Sequence, residues 1–418
     1  MAWDLEVPGK RAVRRLRLYW GLREGRVCRN PLRVSRILLR RALLARLGLL
    51  AWRGGRGLQG EGAPWREVHR GPEGAARALR QLEAVQLDPV AVIERNHHLV
   101  LWNRVGGYAR VHLEALYHQR SLFEYWAQER CLLPLEDYPV FAARRRPLAV
   151  GDPQLRAAVA LVRARLASEG PLPARALDSG GRVEGAWGSS RKATSHALEM
   201  LWDAREVVVA FRQGEERYFA LAEHWLPREL LGQAADESAR VRKYLRAYGV
   251  VDLQDPRFGW RRMPAAERRD LVARLLQEGE LIPLEVQGTR RRYGLHPSLL
   301  PFLEGLEGAE VLPEVFLLPP LDNLLWRRER VRDLFGLDYR RELYLPPARR
   351  RYGPYALPVL EGDRFIALLD ARLNRAQGVL VVERVFWLEH PLPVRADRLW
   401  ATLGRLAGYL GAQLEMRG

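Results

Sequence analysis

The residues Gln86, Leu87, Asp88 and Pro89 place an amide and a carboxylate two positions apart, just ahead of a proline. Pro89 disfavours the helical region for Asp88 and has no amide proton, so a preceding helix cannot simply run through this stretch. Side chains two apart on an extended chain point the same way. An Asp88 carboxylate held so could accept a proton or face a developing cation, with the Gln86 amide orienting a polar partner. The spacing taken alone favours a plainer reading, because Asp is a preferred helix cap and Pro a preferred first helical residue. Other chemistry has less support. Cys28 and Cys131 can supply neither a disulfide framework nor the four thiolates that an iron–sulfur cluster normally takes. His97 and His98 are adjacent and have no Cys or carboxylate at a zinc-ligand spacing. Neither a metal nor a cofactor is expected.

The charge balance narrows the partner. Lys and Arg number 68 against 50 Asp and Glu, a formal +18, and lysine occurs only at positions 10, 192 and 243. Such a surplus favours a polyanion. Arginine forks onto a phosphate or a guanine edge where lysine offers a point charge, which suits nucleic acid, although a GC-rich or thermophilic genome favours arginine too. A composition of 48% hydrophobic and 28% charged residues excludes a disordered chain. The most apolar stretch, 37–52, is interrupted by Arg40, Arg41 and Arg46 and falls short of the ~20 clean residues that a membrane span needs. The N-terminus lacks the order of a secretory signal, so a cytoplasmic protein without membrane contact is expected.

The elements that must position Gln86 and Asp88 follow from periodicity and punctuation. Residues 1–33 read as a basic extension. A helix is expected over 34–52, a glycine-rich loop over 54–62, and a second helix over 73–85 leading straight into the Gln86 to Asp88 stretch. A helix and loop rich in aromatics, including Phe123, Glu124, Tyr125 and Trp126, carries the first unit on to about 147. Helices over 154–168 and 192–204, with a short helical turn at 174–177 between them, then strands over 206–211 and 217–221, have the order of a winged helix. That order partly repeats from Glu237, with helices to 248 and over 265–278 and strands over 281–286 and 291–295. Segments 355–360, 365–370 and 378–387 read as strands of a small β-rich region, closed by a helix over 396–416.

Three places look suited to DNA. Arg191 and Lys192 open the 192–204 helix, which in a winged helix can enter the major groove. Arg290, Arg291 and Arg292 make a compact cationic hairpin tip. Arg350 and Arg351 adjoin Tyr352, a pairing useful for a stacked base or a sugar-phosphate edge. The 192–204 helix could instead bind protein or serve as scaffold, and the other two could be solvated charge runs.

The run from Leu82 to Pro89 and the following 92–106 segment, with Arg95, Asn96, His97, His98, Leu99, Val100, Leu101, Trp102, Asn103 and Arg104, closely resemble the winged-helix DNA glycosylases typified by YcaQ. So do Leu122 to Ala127, the run from Pro320 to Trp326, and Arg350, Arg351, Tyr352 and Gly353 leading to Val359 and Leu360, in the same order. The resemblance spans about 35–390. It implies an α+β, predominantly helical chain of three tandem winged-helix domains and a β-rich C-terminal domain. The expected boundaries are a basic extension at 1–33, winged helices at 34–150, 151–228 and 229–305, and the β-rich domain with its terminal helix at 306–418.

The same resemblance makes Gln86-Leu87-Asp88 the Asp branch of the family's catalytic signature and adds Arg95, His97, His98 and Arg104 to the expected DNA contacts. It implies an enzyme of base excision repair that hydrolyses the N-glycosidic bond of N7-alkylated guanine in double-stranded DNA and acts on interstrand crosslinks; a monofunctional enzyme working as a monomer is expected. Asp88 would stabilise the electron-poor sugar and take a proton from the attacking water, which Gln86 would orient. The scarcity of lysine argues against a Schiff-base mechanism with strand cleavage. Two features depart from the family: Gln128 stands where it often has His after Trp-Ala, and the basic extension has no counterpart. Glu124, inside an aromatic run, is read as holding the framework. A noncatalytic winged-helix DNA-binding regulator explains charge and wings equally well but leaves Gln86 and Asp88 a capping role only; structured RNA is a third candidate ligand.

Overall fold

In a computed structural model of the 418-residue chain, residues 31–54, 65–144, 150–184, 190–233, 237–390 and 392–417 are described. The expected basic extension up to residue 30 and the core of the glycine-rich loop lie outside them. Two compact units are present, 1–109 with 241–418, and 110–240. The chain is mixed α and β, with more helix than strand.

Among the described residues, the first unit opens with strand β1 (Leu32–Val34) and helix α1 (Arg36–Arg46). Ser35 separates them, its hydroxyl accepting from the Leu38 amide at 3.2 Å. The expected helix over 34–52 is therefore shorter at both ends. Gly48 stops it: its φ is +70°, and a Cβ there would lie 2.2 Å from the Trp65 ring. Helix α2 (Gly71–Leu82) also ends sooner than periodicity suggests. Glu83 adopts φ 68°, costly for a residue with a side chain, and the chain continues as the short strand β2 (Val85–Gln86) before helix α3 (Asn96–Trp102).

The second unit opens with α4 (Arg110–His118) and a hairpin of β3 (Leu122–Trp126) and β4 (Arg130–Pro134). The aromatic run is thus a strand, not helix and loop. Its aromatic side chains, Phe123, Tyr125 and Trp126, are ones that β structure favours. Helices α5 (Pro153–Glu169) and α6 (Ala193–Asp203) and the hairpin β5 (Val207–Gln213) and β6 (Glu216–Leu221) follow in the expected order, with turns but no helix at 174–177. Glu124 is enclosed: Arg212 donates to it through Nε at 2.6 Å and Nη2 at 2.8 Å, and the Tyr117 hydroxyl at 2.6 Å. Burial would raise its carboxyl, but Arg212 outweighs that and holds it below the usual range. Glu124 is a framework residue of this unit.

The chain re-enters the first unit through α7 (Glu237–Tyr248), β7 (Val250–Asp252), α8 (Ala265–Gln277), β8 (Ile282–Val286) and β9 (Tyr293–Leu295). These strands form one sheet in the order β1, β8, β9, β7, with β1 parallel to β8. A second sheet holds β10 (Val315–Leu317), β11 (Leu357–Glu361), β12 (Arg364–Asn374), β13 (Val379–Trp387) and β14 (Gln413–Met416), with helix α9 (Arg328–Phe335) between β10 and β11. The final helix, α10 (Pro393–Leu410), is shorter than expected. Gly411 ends it at φ 62°, and the last residues return as β14, parallel to β13. Leu399, Leu403 and Leu406 of α10 share one core with Tyr355, Leu357, Val359 and Ile366, and Ile93 and Leu99 from the stretch after Asp88 join it.

Polar groups reinforce that seating. Arg104 and Asp322, both with no side-chain exposure, form a two-point pair at 2.8 and 3.0 Å, and Arg104 Nε donates to the Leu47 carbonyl at 2.7 Å. Removing one partner of such an enclosed pair leaves a bare charge, so Asp322→Ala should destabilise the protein by about 3 to 5 kcal/mol. Denaturant unfolding followed by tryptophan fluorescence measures this, and a loss below ~1 kcal/mol would show that the pair does not hold the unit together.

Candidate active site

The Gln86 to Asp88 stretch is fixed from both ends. At its start, the Glu83 carboxylate accepts from Lys243 Nζ at 2.9 Å and from Arg246 Nε at 2.6 Å. Burial alone would raise the Glu83 carboxyl, but Lys243 and Arg246 outweigh it and hold it below its usual range. The carbonyls that follow are bound by asparagines: Asn323 Nδ2 donates to Ala84 at 2.8 Å and Asn96 Nδ2 to Gln86 at 2.8 Å. The Asn96 Oδ1 also accepts the Leu321 amide at 3.2 Å, and the neighbouring Asn103 reads Leu317 with both ends of its amide, at 2.8 and 3.2 Å. Past Asp88, the Val92 carbonyl accepts the Leu373 amide at 2.9 Å. These bonds satisfy buried backbone groups and fix where the stretch lies.

Gln86 and Asp88 each keep 7% exposure. The Asp88 Oδ1 accepts the Val90 amide at 2.8 Å, and its Oδ2 accepts from Arg341. The capping reading survives only as a local turn bond, since no helix begins at Pro89. No hydrogen bond among the described residues holds the Gln86 side chain, whose amide is left able to bind something else. Tyr355 is fully enclosed and its hydroxyl has no partner among the described residues. Burial pushes its phenol up, and the nearby Asp88 charge pushes it further.

The expected DNA contacts separate into several groups. Arg104 is not one: with no exposure and its guanidinium bound inside, it is part of the framework. His97 is buried as well, its ring 4.3 Å from that of the half-buried His98, which hydrogen-bonds the Tyr108 hydroxyl at 2.8 Å. Arg95 is half-buried. In the second unit Arg191 pairs with Glu199 and Lys192 with Asp178. At the hairpin tip Arg290 and Arg292 are exposed, but Arg291 turns inward to Asp252 at 3.1 Å. Arg351 is exposed and lies over the Tyr352 ring at 4.8 Å, while Arg350 is half-buried and bonded to backbone. A cleft lined by Tyr138, Arg163, Arg205 and Glu206 lies in the second unit and contains neither Gln86 nor Asp88. Among the described residues, no three His, Cys, Asp or Glu side chains gather where they could hold a metal, and no helix is long and apolar enough to cross a membrane.

A family model described as DNA glycosylase AlkZ-like matches residues 79–409, which contain Gln86, Asp88, Asp322 and Arg341. The chain belongs to the AlkZ-like DNA glycosylase family. Among solved structures, the DNA glycosylase AlkZ of Streptomyces sahachiroi is similar in fold, with a TM-score of 0.54 at 16% identity over 92% of this chain and 100% of that one. An AlkZ-like glycosylase is a DNA repair enzyme, so the regulator reading is not favoured.

Sequence reasoning did not single out Arg341, Tyr355, Glu83 or the asparagines at 96, 103 and 323 as the parts that surround and hold the Gln86 to Asp88 stretch. Arg341 carried a weak signal, since a basic run was recognised a few residues later. Tyr355 carried none, because an aromatic ahead of a strand is ordinary core. The Glu83 cluster predicts a pH signature. A carboxyl lowered by folding contributes stability above its unfolded value of about 4.3, and that contribution is lost as pH falls through the lower folded value. Glu83→Gln should therefore melt well below the wild type at pH 7, with the gap closing at lower pH; a gap independent of pH would contradict the ion-pair account.

Proposed function

We propose that this enzyme hydrolyses the N-glycosidic bond of N7-alkylated guanine in duplex DNA, and that the same chemistry extends to N7-linked interstrand crosslinks. The observation that carries the reading is the Gln86 to Asp88 stretch, a carboxylate held from both sides next to a side-chain amide that no hydrogen bond among the described residues engages. Alkylation at N7 makes the purine cationic, so it departs without needing a strong general acid. The C1′–N9 bond breaks with its electron pair going to the purine, and the sugar becomes an oxocarbenium-like cation. Water adds at C1′, and its proton passes to Asp88 while the carboxylate charge stabilises the cation. Each carboxylate oxygen has two lone pairs, so the bonds from Val90 and Arg341 leave acceptor capacity for that water. Gln86 orients it.

Hydrolysis without strand cleavage fits the lysines. Lys243 is enclosed and bonded to Glu83, which withholds its amine from a Schiff base. The helix and hairpin modules, α5 and α6 with β5 and β6 and then α7 and α8 with β7 to β9, serve in this reading as winged helices on duplex DNA. The enzyme acts as a cytoplasmic monomer.

The deciding experiment incubates an N7-methylguanine duplex with enzyme and treats it with hot alkali to cut at abasic sites. Wild type should give cleavage only after alkali. Asp88→Asn should lower the single-turnover rate by about 10² to 10³, with a smaller loss for Gln86→Ala. Full activity in Asp88→Asn, or strand breaks without alkali, would overturn the mechanism.

A further inference from the structure

Next to the site, the loop from Arg340 to Tyr352 carries five arginines, at 340, 341, 349, 350 and 351, and one acidic residue, Glu342. The acid faces inward: Glu342 is buried, and its Oε2 accepts the backbone amides of Arg351 at 2.8 Å and Tyr352 at 2.9 Å, closing the base of the loop. The Leu345 amide donates to the Glu342 carbonyl at 2.9 Å, and Arg350 Nε donates to the Leu345 carbonyl at 2.9 Å. Pro346 and Pro347 stiffen the descending side. A loop built in this way holds a definite shape, and at its tip it presents apolar side chains to solvent. Tyr344 is 80% exposed and Leu345 40%.

The tip is tied directly to the chemistry. Arg341, three residues before Tyr344, donates to Asp88, and its guanidinium lies 5.4 Å from the centre of the Tyr344 ring. Arg340, Arg349 and Arg351 of the same loop are exposed. An aromatic and an aliphatic side chain on a rigid, cationic support beside the residue that must reach a deoxyribose suit one partner: the stacked bases of the duplex. Phosphates would meet the arginines, and the apolar tip would enter the stack.

Resting on the glycosylase reading, we propose that Tyr344 and Leu345 form a wedge that enters the base stack beside the modified nucleotide. The wedge opens that step, exposing the C1′ face of the sugar to Asp88, and fills the gap left behind. Unstacking one step costs a few kcal/mol, and the wedge supplies contacts that offset it. The damaged base need not be free to swing out for this to work.

The test uses a duplex with 2-aminopurine directly beside N7-methylguanine, whose fluorescence rises when the probe unstacks. The background is Asp88→Asn, and anisotropy gives the bound fraction. Binding of Asp88→Asn should raise the fluorescence severalfold. Adding Tyr344→Ala and Leu345→Ala should remove most of the rise at matched saturation, and Tyr344→Phe should restore it when Leu345 is intact. In the otherwise wild-type enzyme, the double alanine change should slow release of N7-methylguanine from duplex by about 10 to 100-fold, with a much smaller effect on a single strand. Both side chains are exposed, so an unchanged melting temperature verifies folding. No rise with Asp88→Asn, or an undiminished rise with the alanine pair, would overturn the wedge. Wild-type activity in Asp88→Asn would instead sink the glycosylase chemistry at Asp88, so the two failures are told apart.

Discussion

Arg104 and Asp322 meet without any contact with water, and the site depends on that meeting. Each charge is costly to enclose alone and tolerable only in the presence of the other, bonded at two points. The pair therefore forces the turn before α9 against the end of α3. Around it, Asn96, Asn103 and Asn323 bind backbone from both sides. A short strand at 85–86 would have little stability by itself; it is rigid because the carbonyls of Ala84 and Gln86 are already engaged. Polar groups provide the aim, while apolar groups such as Ile93 and Leu99 on the C-terminal sheet provide the adhesion.

The arginine content takes on a different meaning inside this framework. A formal +18 suggested a cationic surface facing nucleic acid. Arg104 and Arg330 are enclosed, Arg212 clasps Glu124, and Arg291 and Arg327 converge on Asp252. The planar guanidinium can satisfy several carbonyls or a carboxylate at once, which suits it to enclosed positions where lysine would leave donors unmatched. Net charge was thus a sound guide to the class of partner and a poor guide to which arginines face it.

What the sequence disclosed follows the reach of its signals. Helices α5, α6, α7 and α8 and the β5–β6 hairpin stood where period and punctuation put them, because local patterning decides them. The Gln86 to Asp88 stretch was legible as a break, since Pro89 acts on its immediate neighbour. Helix ends at Arg46 and Leu82 were not legible, because Gly48 stops one against a ring from Trp65 and Glu83 stops the other in a left-handed conformation held by Lys243 and Arg246. The strand at 122–126 was misread because a run buried on both sides shows no alternation. Arg341 beside Asp88 joins residues 253 apart in sequence, and no periodicity carries information over such a distance.

That long reach has a consequence for how the protein comes into being. As the chain leaves the ribosome, Gln86 and Asp88 emerge early, but Asn323, Asp322 and Arg341 are still unmade. Until they arrive, the 84–88 stretch has neither the Asn323 clasp on the Ala84 carbonyl nor its guanidinium neighbour, while the intervening 110–240 unit has all the residues of its own core at hand. Domains fold as units during synthesis, N-terminal ones first; here the interior segment can do so before the segment that precedes it. A chain broken off anywhere before about residue 341 would carry Gln86 and Asp88 without Arg341, so the stretch takes its final surroundings only after 253 further residues have been made.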